Sequence, residues 1–178
     1  MTGRAPTIAE LDELDADACC AALAPLFEGA ARFLARLCAE RPFVDEARLF
    51  ARARTIAHEM PEPEQLELID AHPRLGAPPG SVSALSFVEQ GYDREDAAVA
   101  ADRERAWVVR ELERLNVAYE ARFGFRYCVF VAARPRAALL PGFEAALGAG
   151  RDAEISRALD AVVDIAEDRH RRVRGGPG

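Results

Sequence analysis

The sequence predicts an all-α protein, folded as a single compact bundle of about seven to eight helices with one short extended segment. Apolar residues recur at helical spacing along most of the 178 residues. Several of these stretches begin with residues that cap helices. Only residues 125–133 are rich enough in aromatic and β-branched side chains to predict a strand, and no second convincing strand could pair with it. Helices are therefore the expected structure.

The first half of the chain predicts four helices. Thr7, followed three residues later by Glu10, has the form of a capping box that opens a short helical turn. A longer helical pattern covers residues 17–38 and is interrupted once by a proline. Helical composition then returns at residues 45–60 and again at residues 64–71.

The second half begins with a loop and ends in two long helices. Residues 72–80 hold three prolines and two glycines, which predicts a loop. Ser86 and Glu89 have the spacing of a second capping box and predict a short helix. A long helix is predicted over residues 94–122, and a last helix over residues 152–172. The inward stripe of the first of these long helices is expected to be Val108, Leu112, Leu115, Tyr119 and Phe123.

Length and charge limit the class of protein. We expect one domain over residues 1–178, with a disordered tail from about residue 174. The net charge of −7 argues against a nucleic-acid partner, because such binding needs clustered basic residues. The first residues do not form a signal peptide, and the longest apolar run, 127–133, is too short to cross a bilayer. These features predict a cytoplasmic protein with no membrane partner. The oligomeric state stays open, with a homodimer among the alternatives.

The sequence contains no pattern typical of a metal or cofactor site. The three histidines, at 58, 72 and 170, are scattered, and the four cysteines show no C-x-x-C spacing. Glycine-rich phosphate loops and the G-x-S-x-G elbow are also missing from the sequence. We therefore expect no metal and no cofactor, and acid/base chemistry carried by side chains.

His72 is the strongest candidate for that chemistry. It stands before Pro73, which disfavours helical dihedral angles, so the ring is expected at the end of a helix where the chain turns into the loop. A helix C-terminus favours a protonated imidazole, so we expect a pKa near neutrality or above, as suits a general acid. The alternative is a histidine that only fills space.

Two further candidates, Glu89 and Arg169, have structural alternatives. Glu89 is either the glutamate of the second capping box or a carboxylate that faces a pocket, and both roles are compatible. The adjacent Gln90 offers an amide that can both donate to and accept from a ureido group. Arg169 belongs to a basic cluster that includes Arg171, Arg172 and Arg174, and such a cluster can simply balance a helix dipole.

Six short stretches form a pattern that is specific when they are taken together. They are Phe27-Glu28, Arg41-Pro42-Phe43, Ala71-His72-Pro73-Arg74-Leu75-Gly76, Ser86-x-x-Glu89-Gln90, Leu115-Asn116-x-x-Tyr119-x-x-Arg122-Phe123-Gly124-Phe125, and Arg169 in the final helix. In this order the chain resembles the 2-oxo-4-hydroxy-4-carboxy-5-ureidoimidazoline (OHCU) decarboxylases, and the stretches span most of its length.

The resemblance implies a compact helical fold and the conversion of OHCU to (S)-allantoin with release of carbon dioxide, in uric acid breakdown and without a cofactor. It implies a small anionic substrate. The catalytic residues it implies are His72 as general acid/base, Glu89 as its partner and Arg169 as the group that holds the anion. The implied substrate contacts are Pro73, Ser86, Phe87, Val88, Gln90 and the main chain of Tyr127, Cys128, Val129, Phe130 and Val131.

Two other functions stay open. Arg126 stands where the family usually has proline, so a lyase of the same fold that acts on another small carboxylated ureido compound is one alternative. The other is a helical interaction module that has kept the fold and lost catalysis.

Overall fold

The computed structural model describes residues 6–92 and 101–175. Within these ranges the chain forms α-helices and two short 3-10 helices, and no strand, so the all-α prediction is confirmed. The α-helices are α1 (Ile8–Glu13), α2 (Ala16–Leu23), α3 (Ala31–Ala39), α4 (Glu46–Glu59), α5 (Glu62–Asp70), α6 (Ala84–Glu89), α7 (Ala101–Phe123), α8 (Leu140–Ala146) and α9 (Arg151–Arg174). The 3-10 helices are Pro79–Ser81 and Arg136–Leu139.

Short polar side chains begin α1, α2 and α4. The predicted capping box is present at α1, where the Thr7 hydroxyl accepts from the Glu10 N–H and the Glu10 carboxylate accepts from the Thr7 N–H. Asp15 caps α2, and Asp45 caps α4 at the start predicted for that helix. These caps satisfy N–H groups that a helix start would otherwise leave without acceptors.

The structure adds to the predicted helical pattern in two places. The pattern over residues 17–38 is two helices, α2 and α3, because the chain turns at Glu28 (φ 50°) and Gly29 (φ 75°), both in the left-handed region. The sequence did not predict α8, whose first turn contains Pro141. Proline is tolerated there, since the N–H groups of a first turn have no partner within the helix.

The described residues fall into two compact units, each with its own core. The first unit contains residues 6–72 and 159–175, and the second contains residues 73–92 and 101–158. The prediction of a single domain stays a prediction. α9 extends to Arg174, and the last three residues of the predicted tail lie outside the described ranges.

The Arg41-Pro42-Phe43 stretch has a structural role in the first unit. The Arg41 guanidinium donates to the backbone carbonyl groups of Cys38 and Leu14. The Asp12 carboxylate accepts from the N–H groups of Phe43, at 2.7 Å, and Val44, at 3.1 Å. This stretch therefore fixes the connection between α3 and α4 against the end of α1 and the residue that follows it.

The second unit is built around α7. All five residues of the predicted stripe are buried, and Tyr119 is fully buried among the rings of Phe123, Phe125, Tyr127 and Phe143. Gly76 in the preceding loop has φ +81°, and a Cβ there would lie 2.8 Å from Leu112 Cδ1. Glycine suits this position, because other residues rarely adopt this φ and a Cβ would require the Leu112 side chain to shift.

The predicted extended segment follows α7. Residues 126–131 are neither helix nor paired strand. Across the described ranges, no helix combines the length and the apolar character that a membrane span would need.

Candidate active site

His72 lies just after α5, in the first unit. Its N–H donates to the Ile69 carbonyl at 3.1 Å, which closes the last turn, and its side chain is 4% exposed. The ring Nδ1 lies 3.3 Å from the Leu68 carbonyl oxygen. Because a carbonyl only accepts, the proton is on Nδ1, and Nε2 is the nitrogen with the lone pair.

The charge of His72 differs from the sequence expectation. Burial lowers the pKa of His72 to about 4, and the positive charge of Arg169 acts in the same direction. The Glu28 carboxylate and the Leu68 carbonyl oppose this shift without cancelling it. The helix-end effect that predicted a protonated ring is therefore outweighed by desolvation, and His72 is a neutral imidazole at neutral pH.

Arg169 is an interior residue and does not serve as a helix-end charge. It is 3% exposed, whereas the basic residues of the last turn of α9 are Arg171, Arg172 and Arg174. Its Nη2 donates to Glu28 Oε1 at 2.8 Å. Its Nη1 donates to the backbone carbonyl groups of Leu26, at 3.1 Å, and of Pro25, at 3.3 Å. The guanidinium is thus held in one position with its counter-charge beside it.

Glu28 is the member of this cluster for which the sequence predicts no role. Its side chain is 12% exposed, and its backbone has φ 50°, which is uncommon for a residue other than glycine. Its electrostatic contribution at His72 is opposite in sign to that of Arg169. The Phe27-Glu28 stretch is part of the family pattern and draws attention to Glu28. Its partner Arg169 lies 141 residues away, and no spacing rule connects the two residues.

Glu89 does not belong to a capping box. α6 begins at Ala84, and the Ser83 hydroxyl accepts from the Ser86 N–H at 3.1 Å. Ser86 is therefore inside the helix and Glu89 is its last residue, so the capping role considered for Glu89 is wrong. Both side chains are buried, Ser86 at 1% exposed and Glu89 at 8%. A carboxylate is rarely placed in such surroundings without a specific role.

Gln90 connects α6 to the loop that follows His72. Its Oε1 accepts from the Gly76 N–H at 2.8 Å, and its Nε2 donates to the Arg74 carbonyl at 3.3 Å. Both ends of the amide are thus bonded to loop backbone. Asn116 of α7 donates to the Leu75 carbonyl of the same loop at 3.0 Å.

The remaining predicted contacts also lie in the second unit. Pro73 and Phe87 are half-buried, and Val88 is exposed at 37%. We call residues 127–131 the edge segment. Tyr127, Cys128 and Val131 are buried there, while Val129 and Phe130 are half-buried. The Tyr127 ring stacks on Phe143 with centroids 3.7 Å apart.

The structure therefore groups the predicted residues in two sets. His72 and Arg169 belong to the first unit, together with Glu28. Glu89, the other contacts and the edge segment belong to the second. No group of three or more histidine, cysteine or acidic side chains that could hold a metal ion is found in the described part of the chain.

Sequence comparison identifies relatives over most of this chain. A profile of the OHCU decarboxylase family matches residues 12–171. A 2-oxo-4-hydroxy-4-carboxy-5-ureidoimidazoline decarboxylase from Haloferax volcanii is 26% identical over 161 residues, which are 90% of this chain and 92% of that protein. The uric acid degradation bifunctional protein PucL from Bacillus subtilis is 28% identical over 163 residues, which are 92% of this chain and 32% of that longer protein.

Solved structures share the fold. A crystal structure of OHCU decarboxylase in the presence of (S)-allantoin matches with a TM-score of 0.64 and 21% identity, over 83% of this chain and 94% of that chain. A crystal structure of (S)-allantoin synthase matches with a TM-score of 0.64 and 19% identity, over 90% of this chain and 51% of that chain. Since the family profile covers nearly the whole sequence, the chain belongs to the OHCU decarboxylase family.

Proposed function

We propose that this protein is a carboxy-lyase that converts OHCU to (S)-allantoin and carbon dioxide in the breakdown of uric acid. Family membership supports the reaction class, and the Haloferax volcanii relative is named for the same activity. The observation that carries the proposal is His72, a buried neutral imidazole whose Nε2 has the lone pair. At neutral pH such a group is in the proton-accepting form, and its conjugate acid readily gives the proton back.

The substrate's own chemistry explains what a proton-transfer group at His72 would do. When the bond between the ring and the carboxylate carbon breaks, its electron pair passes into the unsaturated ring, and carbon dioxide leaves. In the proposed step, His72 Nε2 takes the proton of the substrate hydroxyl group and returns it to one face of the ring. A second proton, taken up from water, forms an N–H bond at the ring nitrogen that received the electron pair and balances the charge of the lost carboxylate. The proposal includes no cofactor because the ring itself accepts the electrons.

Two charged residues complete the proposed catalytic set. Arg169 would hold the substrate carboxylate, and its fixed guanidinium suits an anion that must lie out of the ring plane for the bond to break. Glu89 would be the partner of His72 in proton transfer, as the resemblance implies. Its burial at the end of α6, with the capping role excluded, supports a chemical role for this carboxylate.

The proposed substrate contacts come from the resemblance. They are Pro73, Ser86, Phe87, Val88, Gln90 and the main chain of the edge segment. The Gln90 side chain bonds to the backbone of Gly76 and Arg74 and thereby fixes the loop that begins at Pro73. These bonds support an indirect role for Gln90 in substrate binding.

Location and assembly are part of the same proposal. A cytoplasmic location is supported by the four cysteines, which are free thiols even though Cys38 interacts with both Cys19 and Cys20. A homodimer remains the assembly to test first, by light scattering. The alternatives are a lyase of the same fold that acts on another carboxylated ureido compound, and a non-catalytic module.

One experiment separates these functions. Freshly generated OHCU is added to the pure protein, and the handedness of the allantoin is followed by circular dichroism. Spontaneous decay gives no handedness, so accumulation of the S form is the expected result. Racemic product at the uncatalysed rate, from a folded protein, would contradict the proposed function. Turnover of a related ureido acid in its place would favour the first alternative.

A further inference from the structure

Arginine side chains bond to the carbonyl groups of the edge segment. Arg157 Nη1 donates to the Cys128 carbonyl at 2.8 Å. Arg134 donates from Nε to the Val131 carbonyl at 3.0 Å and from Nη2 to the Phe130 carbonyl. Three of the five carbonyl groups in this segment therefore accept from a guanidinium group. Charge-assisted bonds of this kind are stronger than those between neutral groups.

The N–H groups of the same segment are in a different situation. Within the described ranges, the N–H groups of Val129, Phe130 and Val131 have no hydrogen-bond acceptor. Backbone donors are seldom left in this state, because an unpaired polar group costs free energy when water is excluded. These three donors are therefore suited to a ligand that brings oxygen acceptors.

Arg157 is itself fixed by a buried network. Its Nε donates to Glu154 Oε2 at 2.9 Å, and the same carboxylate oxygen accepts from the Tyr119 hydroxyl at 2.8 Å. Glu154 is 4% exposed, so the ion pair is shielded from water on the carboxylate side. The Arg157 guanidinium also lies over the Tyr127 ring, 4.6 Å from its centroid. The position of Arg157 is thus determined on several sides.

Arg134 closes a strained turn. Ala132 and Ala133, directly after the edge segment, have φ angles of 51° and 58°, a conformation that favours glycine or asparagine. The Arg134 N–H donates to the Val131 carbonyl at 3.0 Å, and its side chain donates to the carbonyl groups of Val131 and Phe130. Strain of this kind persists only where the surroundings hold it, and it is frequent at ligand-binding segments.

We propose that Arg157 and Arg134 are positioning residues for substrate binding, which hold the carbonyl groups of the edge segment so that its N–H groups donate to oxygen atoms of the substrate. This inference rests on the proposed function, since it takes the edge segment as a substrate contact. Neither arginine touches the reacting atoms. Their effect is on how tightly substrate binds, in the ground state and the transition state alike, and it acts on KM rather than on kcat.

The test uses Arg157→Met and Arg134→Met, which keep an unbranched side chain and remove the donors. Arg151→Met is the matched control, because Arg151 also donates to a carbonyl, that of Phe123 at 3.0 Å, and also lies over a ring, that of Phe125. We expect KM for OHCU to rise about tenfold in both test variants, with kcat within about twofold of the parent. The control should keep both constants.

Arg134→Met keeps the test valid if Arg157→Met fails to fold. Arg157 contacts the buried Glu154, so its replacement can lower stability, whereas Arg134 is exposed. A raised KM in Arg134→Met with an unchanged melting temperature supports the inference even if Arg157→Met does not fold. KM values equal to that of Arg151→Met in every folded test variant would overturn it.

Hydrogen exchange separates this inference from the proposed function. With (S)-allantoin as the probe, exchange at Val129, Phe130 and Val131 should slow in the parent and slow less in the test variants. Without ligand, the same amides should exchange faster in the test variants than in the control. If the parent makes no (S)-allantoin, the proposed function fails. The ligand-free exchange then still decides whether the arginines fix the segment, and unchanged rates there would overturn that part as well.

Discussion

The two units carry their candidate groups in different ways. In the first unit, His72, Arg169 and Glu28 are charged or titratable side chains withdrawn from water, and burial and neighbouring charge set their protonation. In the second unit, the candidate groups include the main chain of the edge segment, and side chains such as Arg157 and Gln90 fix where backbone atoms lie. The first unit is thus suited to proton transfer and to binding a charged group, and the second to recognising the shape of a ligand.

This difference leads to a kinetic expectation. Substitutions in the charged cluster should change the chemical step or the binding of the carboxylate. Substitutions that disturb backbone position should mainly change KM. Glu89 is the test of this division, because it is a buried carboxylate in the unit to which we assign substrate recognition rather than proton transfer.

The largest expected effect is that of His72→Asn. Asparagine keeps a polar side chain before Pro73 and removes the proton acceptor, so kcat should fall by roughly 10² or more, the usual contribution of a positioned acid or base. Steady-state kinetics with OHCU would measure it. His58→Asn is the matched control, since His58 is a partly exposed histidine that bonds to Asp160. A parent-like kcat in folded His72→Asn would rule out His72 as the proton-transfer group.

Glu89→Gln should have the next largest effect. The change keeps size and hydrogen-bonding capacity but removes the charge, and we expect kcat to fall by about 10² because a partner in proton transfer is lost. Glu144→Gln, at a carboxylate that is 66% exposed, is the control in the same unit. If Glu89→Gln changes only KM, Glu89 acts in substrate binding and not in proton transfer. The kinetic difference between the two units would then be larger than proposed.

Arg169→Lys should have a smaller effect. Lysine keeps the charge but cannot reach Glu28 and the Leu26 carbonyl together as the fork does, so KM should rise about tenfold and the melting temperature should fall. Arg171→Lys, at a side chain that is 65% exposed on the same helix, should change neither. An unchanged KM for Arg169→Lys would leave Arg169 with a structural role alone.

The last expected effect is on stability rather than on catalysis, and it depends on pH. The unfolded-state pKa of a histidine is near 6.5, and that of folded His72 is lowered to about 4, so the unfolded state binds the proton more readily. The contribution of neutral His72 is present above pH 6.5 and is lost as pH falls toward 4. The parent should therefore lose on the order of 3 kcal/mol more than His72→Asn over this range, by chemical denaturation at each pH. Equal losses would show that His72 is not buried as described.

Helical spacing predicted the parts of the fold that local sequence controls. The stripe from Val108 to Phe123 is buried, as is the corresponding set on α9 at Ile155, Leu159, Val162 and Ala166. Where a local motif was ambiguous, the prediction was wrong. The capping-box spacing predicts Ser86 as the N-cap of α6, whereas the observed N-cap is Ser83, three residues earlier.

The candidate site was predictable only in part, for a physical reason. Short motifs led to His72 and Arg169, but the pKa of His72 depends on burial and on the charge of Arg169, and no sequence pattern reports either. The Glu28 partner and the Arg157 anchor are contacts over long separations in sequence. Such contacts depend on tertiary packing, which the spacing of residues in the sequence does not predict.

The use of arginine to bond backbone carbonyl groups has a consequence for chemical labelling. Arg41, Arg134, Arg151, Arg157 and Arg169 all make such bonds, and all 23 basic residues of the chain are arginine. Reagents that acylate side-chain amines therefore find no lysine to attack, whereas dicarbonyl reagents attack guanidinium groups. Arg134 is exposed and would be modified early, while Arg169, at 3% exposed, is protected until its surroundings open. The order of arginine modification thus records local opening of this protein, residue by residue.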